Sequence, residues 1–89
     1  MVMYFVYVLE SEKDGSFYTG FSQDLERRLQ QHNIGKVKAT RYKRPFRLVY
    51  SEAYLRAHEA RRREYYLKSQ KSHEFIEELI EKRAISSAG

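Results

Sequence analysis

The distribution of hydrophobic and polar positions predicts three strands and three helices. Short runs of aromatic and β-branched residues indicate the strands, and Asp14-Gly15 is a turn signal between the first two. Apolar residues three and four positions apart indicate the helices. In chain order, we expect a strand over 4–9, a strand over 16–20, a helix over about 22–33, a strand over 46–54, a helix over about 56–68 and a helix after residue 72.

The order of these elements, β-β-α-β-α-α, predicts an α+β fold within the broad α/β class. A small three-stranded, mostly antiparallel sheet would be flanked by three helices. Ser22 is placed to cap the first helix, with Asp24 and Glu26 in its first turn, and Gly35 is placed to end it. Ser72 is placed to cap the third helix.

The composition is that of a small globular protein without a membrane span. With 89 residues the chain is long enough for a single core, which we expect over 1–85, with a disordered tail over 86–89. No apolar run approaches the roughly 18 residues that a bilayer requires, and the N-terminus lacks the features of a signal peptide. The absence of cysteine excludes disulfides, thiolate metal sites and cysteine nucleophiles. We therefore expect a cytoplasmic protein with no membrane partner.

Basic residues are concentrated in one stretch. Residues 36–68 hold eleven Lys or Arg and three Glu, a net charge of +8, whereas the rest of the chain carries −3. This asymmetry favours a polyanionic partner, with nucleic acid ahead of an acidic membrane surface, and a solvated basic face is the alternative. Tyr42 and Phe46 lie among these cations, where aromatic rings are able to stack on unpaired bases, although Phe46 is equally suited to the core.

The first predicted helix places polar residues next to its apolar stripe. Leu25 and Leu29 mark the stripe at 100° per residue, and Arg28 and His32 fall on or beside it, one turn apart. Arg27 points away from His32. A cation and an imidazole at the edge of a core indicate either a functional pair or a snorkelling arginine and a satisfied interior histidine.

The second predicted helix has a carboxylate in the same kind of position. Glu64 lies between Ala60 and Leu67 on the inward stripe, and it is flanked by Arg61 and Lys68. One interpretation is an ion pair, which contributes roughly a few tenths of a kcal/mol on an exposed helix. The other is a metal ligand, because a single carboxylate with waters and a substrate phosphate suits Mg²⁺.

The predicted strands contribute two phenols. Tyr7 shares a face with Phe5 and Leu9, and Tyr18 shares a face with Gly20. Either ring is suited to ordinary core packing, and Gly20 either admits a substrate backbone or provides a turn. With the guanidinium, imidazole and carboxylate of the helices, these phenols make up a set suited to phosphodiester hydrolysis.

In their order along the chain, these motifs resemble the GIY-YIG nuclease superfamily. The resemblance is to its small standalone bacterial members, which are similar to the N-terminal nuclease domain of the bacterial excinuclease. It covers roughly residues 3–83. Neither of the two three-residue motifs is specific alone, and the strength of the resemblance comes from the whole set of motifs in this order. The residues that carry it are the triads Phe5-Val6-Tyr7 and Tyr18-Thr19-Gly20, then Leu25, Arg28 and His32, and finally Glu64 within 63–68.

The resemblance implies a divalent-metal-dependent endonuclease that uses Mg²⁺ or Mn²⁺ and no organic cofactor. Glu64 would bind the metal, and Arg28 would face the scissile phosphate. Tyr7, Tyr18 and His32 would position or deprotonate the attacking water, and which of the three is the general base stays open. We expect a nucleic-acid partner, with DNA ahead of RNA and single-stranded or branched DNA ahead of plain duplex. The expected nucleic-acid contacts are Lys36, Lys38, Arg41, Lys43, Arg44, Arg61 and Lys68.

The chain also departs from the family pattern. Phe5 replaces the first glycine of the first triad, and Thr19 replaces the isoleucine of the second. Many relatives have an asparagine after the metal-binding helix, whereas here none follows Asn33. Two alternatives therefore stand beside the nuclease: a non-catalytic nucleic-acid-binding module on the same fold, and a protein-interaction module whose basic stretch docks an acidic partner.

Overall fold

The computed structural model describes residues 2–88, and it describes side chains as far as residue 83. The predicted order β-β-α-β-α-α is confirmed. No described helix is both long enough and apolar enough to span a bilayer. The elements are β1 (Tyr4–Ser11), β2 (Phe17–Ser22), α1 (Leu25–Asn33), a 3-10 helix (Lys38–Lys43), β3 (Phe46–Tyr54), α2 (Ala57–Gln70) and α3 (His73–Ala88).

The three strands form one sheet with β1 in the centre. The strand order is β2-β1-β3, and both strand pairs are antiparallel. Tyr7 on the central strand lies opposite Gly20 of β2 on one side and Ser51 of β3 on the other. The triad residues Tyr7 and Gly20 are therefore direct neighbours across the sheet.

Alternate residues of β1 point to opposite faces, and helices cover both faces. Val6 packs in a cluster with Ala60 and Leu67 of α2. The apolar stripe of α3 packs against the same face of the sheet. Tyr7 and Leu9 point to the other face, where α1 covers them. The side chains that complete this second cluster are Leu25, Leu29, Phe46 and Tyr18.

The caps of α1 differ in part from the prediction. Asp24, not Ser22, is the N-cap, because its side chain accepts a hydrogen bond from the backbone N–H of Arg27 at 3.1 Å. The Ser22 hydroxyl instead accepts from the N–H of Asp24 at 3.0 Å and forms a turn one step earlier. At the other end Gly35 has φ +85°, which confirms its predicted role in ending the helix.

The third helix begins and packs as predicted. The Ser72 hydroxyl accepts from the N–H of Phe75 at 3.2 Å, which is the expected cap. Its apolar stripe contacts the two core clusters on the α2 side of the sheet. The tail predicted over 86–89 falls where the side chains, and all of Gly89, lie outside the described residues. That expectation stays a prediction.

The basic connection between α1 and β3 is more ordered than its sequence indicates. It contains the 3-10 helix, in which Thr40 is buried. Phe46, at 4% exposed, belongs to the core and not to the set of rings able to stack on bases, whereas Tyr42 is 78% exposed. The side chain of Asn33 bridges to both backbone groups of Phe46, at 2.6 and 3.1 Å, and so ties the end of α1 to the start of β3.

Candidate active site

Helix α1 brings Arg28 and His32 to the Tyr7 side of the sheet. Leu25 and Leu29 pack against the cluster that contains Tyr7, as the stripe predicted. Arg28 and His32 follow Leu25 by three and seven residues and share its face of the helix. Both polar side chains therefore point toward Tyr7. Of the nine residues of α1, His32 is the fully buried one, with 0% of its surface exposed.

The Tyr7 hydroxyl lies at the centre of a chain of hydrogen bonds. Its oxygen is 3.0 Å from Nε2 of His32, and Nε of Arg28 donates to it at 3.3 Å. On the far side of the ring, Nδ1 of His32 is 2.8 Å from Oγ1 of Thr40, whose hydroxyl donates to the Val37 carbonyl at 3.4 Å. One direction of donation gives every group a partner. The guanidinium donates to the phenol oxygen, the phenol O–H to Nε2 of the imidazole, the imidazole Nδ1–H to the threonine hydroxyl, and that hydroxyl to the backbone carbonyl. The imidazole is then neutral, with its proton on Nδ1.

Burial sets the charge state of this chain. Burial raises the pKa of Tyr7 above its usual 10, the hydrogen bond and charge of Arg28 oppose the shift, and the charges of Tyr18 and Glu64 add to it. Burial, assisted by the Arg28 charge, lowers the pKa of His32 from 6.5 to about 4. Both the phenol and the imidazole are therefore neutral at pH 7.

Gly20 makes room for the Tyr7 ring. A Cβ built on Gly20 would overlap the hydroxyl and Cζ of Tyr7. Gly20 lies within β2, so the predicted turn is wrong. The close approach that the structure shows is by a side chain of the adjacent strand, and the approach of a substrate backbone stays a prediction. The second triad therefore supplies space for the phenol of the first.

The Glu64 carboxylate reaches the same region from α2. Its side chain is 17% exposed, its Oε2 is 2.8 Å from Nζ of Lys68, and its charge acts on the Tyr7 phenol. Lys68 is thus the expected flanking base. Arg61 is not a partner of this carboxylate, since its guanidinium lies 4.5 Å from the centroid of the Phe21 ring.

The donor set around Glu64 fits a hydrated divalent cation. The described residues contain no group of three or more histidine, cysteine or acidic side chains able to hold a metal. Mg²⁺ keeps several waters and is commonly bound by one or two carboxylates together with substrate phosphates. A single, partly exposed carboxylate whose charge acts on the phenol meets that requirement, and a cation there would compete with Nζ of Lys68 for its Oε2.

Tyr18 lies between the buried chain and the surface. Its ring centroid is 5.0 Å from that of His32, at an edge-on angle of 61°. Nζ of Lys68 lies 5.9 Å from the centroid of the same ring. Within residues 2–83 its hydroxyl makes no hydrogen bond, so this phenol is available to a water or a substrate oxygen.

All seven of the cations expected to bind nucleic acid are exposed. Two of them form ion pairs, Lys43 with Asp14 at 3.5 Å and Lys68 with Glu64. Arg41 donates from Nε to the Gly35 carbonyl at 3.1 Å, which holds its side chain against the end of α1. Their contact with nucleic acid stays a prediction.

Sequence reasoning missed two residues that support the site. Thr40 is the first, since it holds the far nitrogen of His32. Glu52 is the second: its carboxylate accepts from the hydroxyls of Tyr50 and Tyr54 and from Arg63 at 3.0 Å, which ties β3 to α2 one residue before Glu64. Burial alone would raise the pKa of Glu52, but these hydrogen bonds, led by that of Arg63, lower it. The sequence does contain a signal for Glu52, because the two-residue period of a strand puts this glutamate on the same face as the tyrosines two positions before and after it.

Comparison with known proteins identifies related chains. A model of the GIY-YIG catalytic domain matches residues 3–76. UPF0213 proteins of Staphylococcus epidermidis and Staphylococcus saprophyticus are 44% and 41% identical to this chain over 70 residues, which cover 78% of this chain and 84% of theirs. The solution NMR structure of a UPF0213 protein from Bacillus halodurans is 42% identical, with a TM-score of 0.56, and the match covers 89% of this chain and 83% of that one.

Proposed function

The chain belongs to the GIY-YIG catalytic-domain family, and from that premise we propose that it is a divalent-metal-dependent endonuclease. It hydrolyses phosphodiester bonds in nucleic acid, with DNA ahead of RNA and unpaired or branched strands ahead of plain duplex. One observation carries the proposal: the Tyr7 hydroxyl is held between Nε of Arg28 and Nε2 of the buried His32. A neutral phenol between a guanidinium and a neutral imidazole is arranged for proton transfer beside an anion.

Arg28 binds and polarises the phosphate. Its Nε is engaged with Tyr7, and its Nη1 donates to Oε1 of Gln31 at 3.0 Å, so the planar head is fixed in direction. A fixed guanidinium near the scissile phosphate stabilises the charge that develops in the transition state. Mg²⁺ or Mn²⁺ held by Glu64 would add Lewis-acid stabilisation of the same charge.

Tyr7 and His32 move the proton. As the phenol oxygen of Tyr7 takes a proton from the attacking water, its own proton passes to Nε2 of His32. The imidazole is 0% exposed and both its nitrogens have partners, so it acts through Tyr7 and does not touch the water. A phosphate at Arg28 offsets one of the two causes that lower the pKa of His32, and so makes the imidazole a better acceptor when substrate is bound. The free hydroxyl of Tyr18 orients the water.

The test is a cleavage assay with matched glutamate variants. Wild type, Glu64→Ala and Glu59→Ala are incubated with end-labelled single-stranded, duplex and branched DNA and with RNA, in Mg²⁺, Mn²⁺ or EDTA. Wild type and Glu59→Ala should cleave in the presence of metal, and Glu64→Ala should not, because Glu59 lies on the same helix but pairs with Arg56 at its exposed start. Tyr7→Phe should lose roughly 10²- to 10⁴-fold in rate, the usual contribution of a proton-transfer group. Cleavage by Glu64→Ala at the wild-type rate overturns the metal assignment.

A non-catalytic nucleic-acid-binding module is the second candidate. It is favoured by the Glu64–Lys68 ion pair, which already neutralises the carboxylate, and by the lack of an asparagine after Asn33. This candidate gives salt-sensitive binding and no turnover with either metal. Multiple turnovers under any of the assay conditions rule it out.

A further inference from the structure

A groove runs between β2 and the turn from α2 to α3, beside the site. Its volume is about 340 Å³, which is within the range of roughly 300–1,000 Å³ of small-ligand clefts. We call it the β2–α3 groove. It is lined by Phe17, Tyr18, Thr19, Leu67, Lys68, Lys71, Ser72, His73 and Ile76.

The lining of the groove combines aromatic rings with buried apolar side chains. The rings of Phe17 and His73 stack on each other with centroids 4.3 Å apart and planes at 17°. The Tyr18 ring is part of the lining, and the lining residues Leu67 and Ile76 are buried. Flat rings in the lining suit a planar heteroaromatic ligand, since stacking on aromatic side chains is tolerant of base identity.

The charge of the groove is cationic. Lys68 and Lys71 line it, and none of the described residues that line it is a carboxylate, although Nε2 of His73 lies 3.8 Å from Oε1 of Glu77. Lys71 makes no ion pair within residues 2–83. A second groove of the same volume shows the contrast, because Glu10, Glu77 and Glu81 line it together with one cation, Arg47. Of these two equal grooves, the β2–α3 groove is the one that attracts a phosphate.

Two residues of the groove also contact residues of the candidate active site. Tyr18 lines the groove and also contacts the His32 ring. Lys68 lines the groove and also pairs with Glu64. A ligand in the groove therefore lies next to whatever occupies the space at Arg28, Tyr7 and Glu64.

We propose that the β2–α3 groove binds one unpaired nucleotide of the substrate strand, adjacent to the phosphate that is cleaved. The base stacks on the aromatic rings of the lining and its phosphate meets Lys68 and Lys71. A base inside a duplex has both faces covered by its neighbours and must leave the stack to be bound in this way. The groove thus accounts for a preference for single-stranded or branched substrates, and this inference rests on the proposed function.

Binding measurements without metal test the groove separately from cleavage. Fluorescence anisotropy in EDTA compares a branched DNA, whose junction fixes the position of the protein, with versions that carry one abasic site at successive positions of the unpaired arm. For wild type, loss of the base at one position next to the cleavage point should weaken binding roughly tenfold, the scale of one stacked base. His73→Ala and Lys71→Gln should weaken binding of the intact strand several-fold, and His73→Ala should remove the dependence on the abasic position.

Matched variants outside the groove serve as controls. His58→Ala removes an exposed histidine from α2, and Lys82→Gln removes an exposed lysine from α3. Both should bind like wild type, and circular dichroism confirms that each variant is folded. Equal effects of all abasic positions on wild type, or unchanged binding by both groove variants, overturn the groove assignment while leaving the nuclease intact. If wild type binds no nucleic acid even at low salt, the proposed function fails as well.

Discussion

At the scale of single residues, His32 shows how a polar group is accommodated in the core. The imidazole has both nitrogens partnered, by Tyr7 and by Thr40, so burial leaves neither without a hydrogen bond. A neutral imidazole is compatible with this position, whereas an imidazolium carries a charge out of water and beside Arg28. That difference is expressed in the lowered pKa of His32.

The lowered pKa makes the stability of the protein depend on pH. In the unfolded chain the pKa of His32 is near 6.5, and in the folded protein it is about 4. Between these values the unfolded state binds a proton that the folded state does not, so stability falls as pH falls. We expect the free energy of unfolding of wild type to drop by about 2 kcal/mol from pH 7 to pH 4.5 through this group alone. Urea unfolding at several pH values measures the drop.

Histidine variants isolate the contribution. His32→Gln should lose the pH dependence assigned to this residue, while His58→Gln, at an exposed position, should keep the wild-type slope. The lowered pKa of Glu52 acts in the same direction, but only nearer its usual value of 4.5. Parallel slopes for wild type and His32→Gln above pH 4.5 contradict the prediction.

The sequence predicts part of this site and misses part for a physical reason. Arg28 and His32 are predictable because helical periodicity fixes their direction relative to Leu25. Thr40 lies in a short 3-10 helix, where no apolar period of its own shows which side chain turns inward. Its partner is eight residues away across an irregular segment, which no local pattern connects.

At the scale of elements, β2 is shaped by the neighbouring strand. Gly20 faces Tyr7 in the register of the β1–β2 pair, and a Cβ there would overlap the phenol. Gly20→Ala should therefore destabilise the protein by about 2 kcal/mol, the typical cost of overpacking. In a Tyr7→Ala background the same substitution should cost close to nothing, because the space is vacant. Urea unfolding of the four proteins in this double-mutant cycle measures the coupling.

Gly15 provides the control for that cycle. It has φ +76° and nothing within 4 Å of a built Cβ, so Gly15→Ala strains the backbone by roughly 1–2 kcal/mol without a side-chain overlap. Its cost should be the same with or without Tyr7. Additive costs for Gly20→Ala and Tyr7→Ala would show that the overlap does not decide the choice of glycine.

The type and order of the helices and strands follow from the sequence, whereas the sequence determines less well the residues at which they begin and end. The strand predicted over 46–54 forms β3 with those limits, since aromatic and β-branched residues recur along it and Pro45 precedes it. At the start of α1, Ser22 and Asp24 both belong to the preferred N-cap residues. Which of them caps the helix depends on where the edge strand β2 ends, and that is set by its pairing with β1.

At the scale of the whole molecule, the helices differ in charge. The 3-10 helix and α2 carry the basic excess, whereas the described part of α3 holds Glu74, Glu77, Glu78 and Glu81. Some cations are neutralised locally, as in the pairs of Lys43 and Lys68. The described side chains of Lys36 and Lys38 are exposed and have no ion-pair partner within residues 2–83, so both are available to a phosphate backbone.

This distribution predicts how binding responds to salt. Five to seven phosphate contacts on a single strand give a slope of about −3.5 to −5 in a plot of log K against log salt concentration, at about −0.7 per contact. Replacing both Lys36 and Lys38 by glutamine should make the slope shallower by about 1.4 units, since two counterion-releasing contacts are lost. Lys82→Gln on α3 should leave the slope unchanged. Anisotropy titrations between 50 and about 300 mM salt measure the slopes. A double variant with the wild-type slope would remove Lys36 and Lys38 from the nucleic-acid interface.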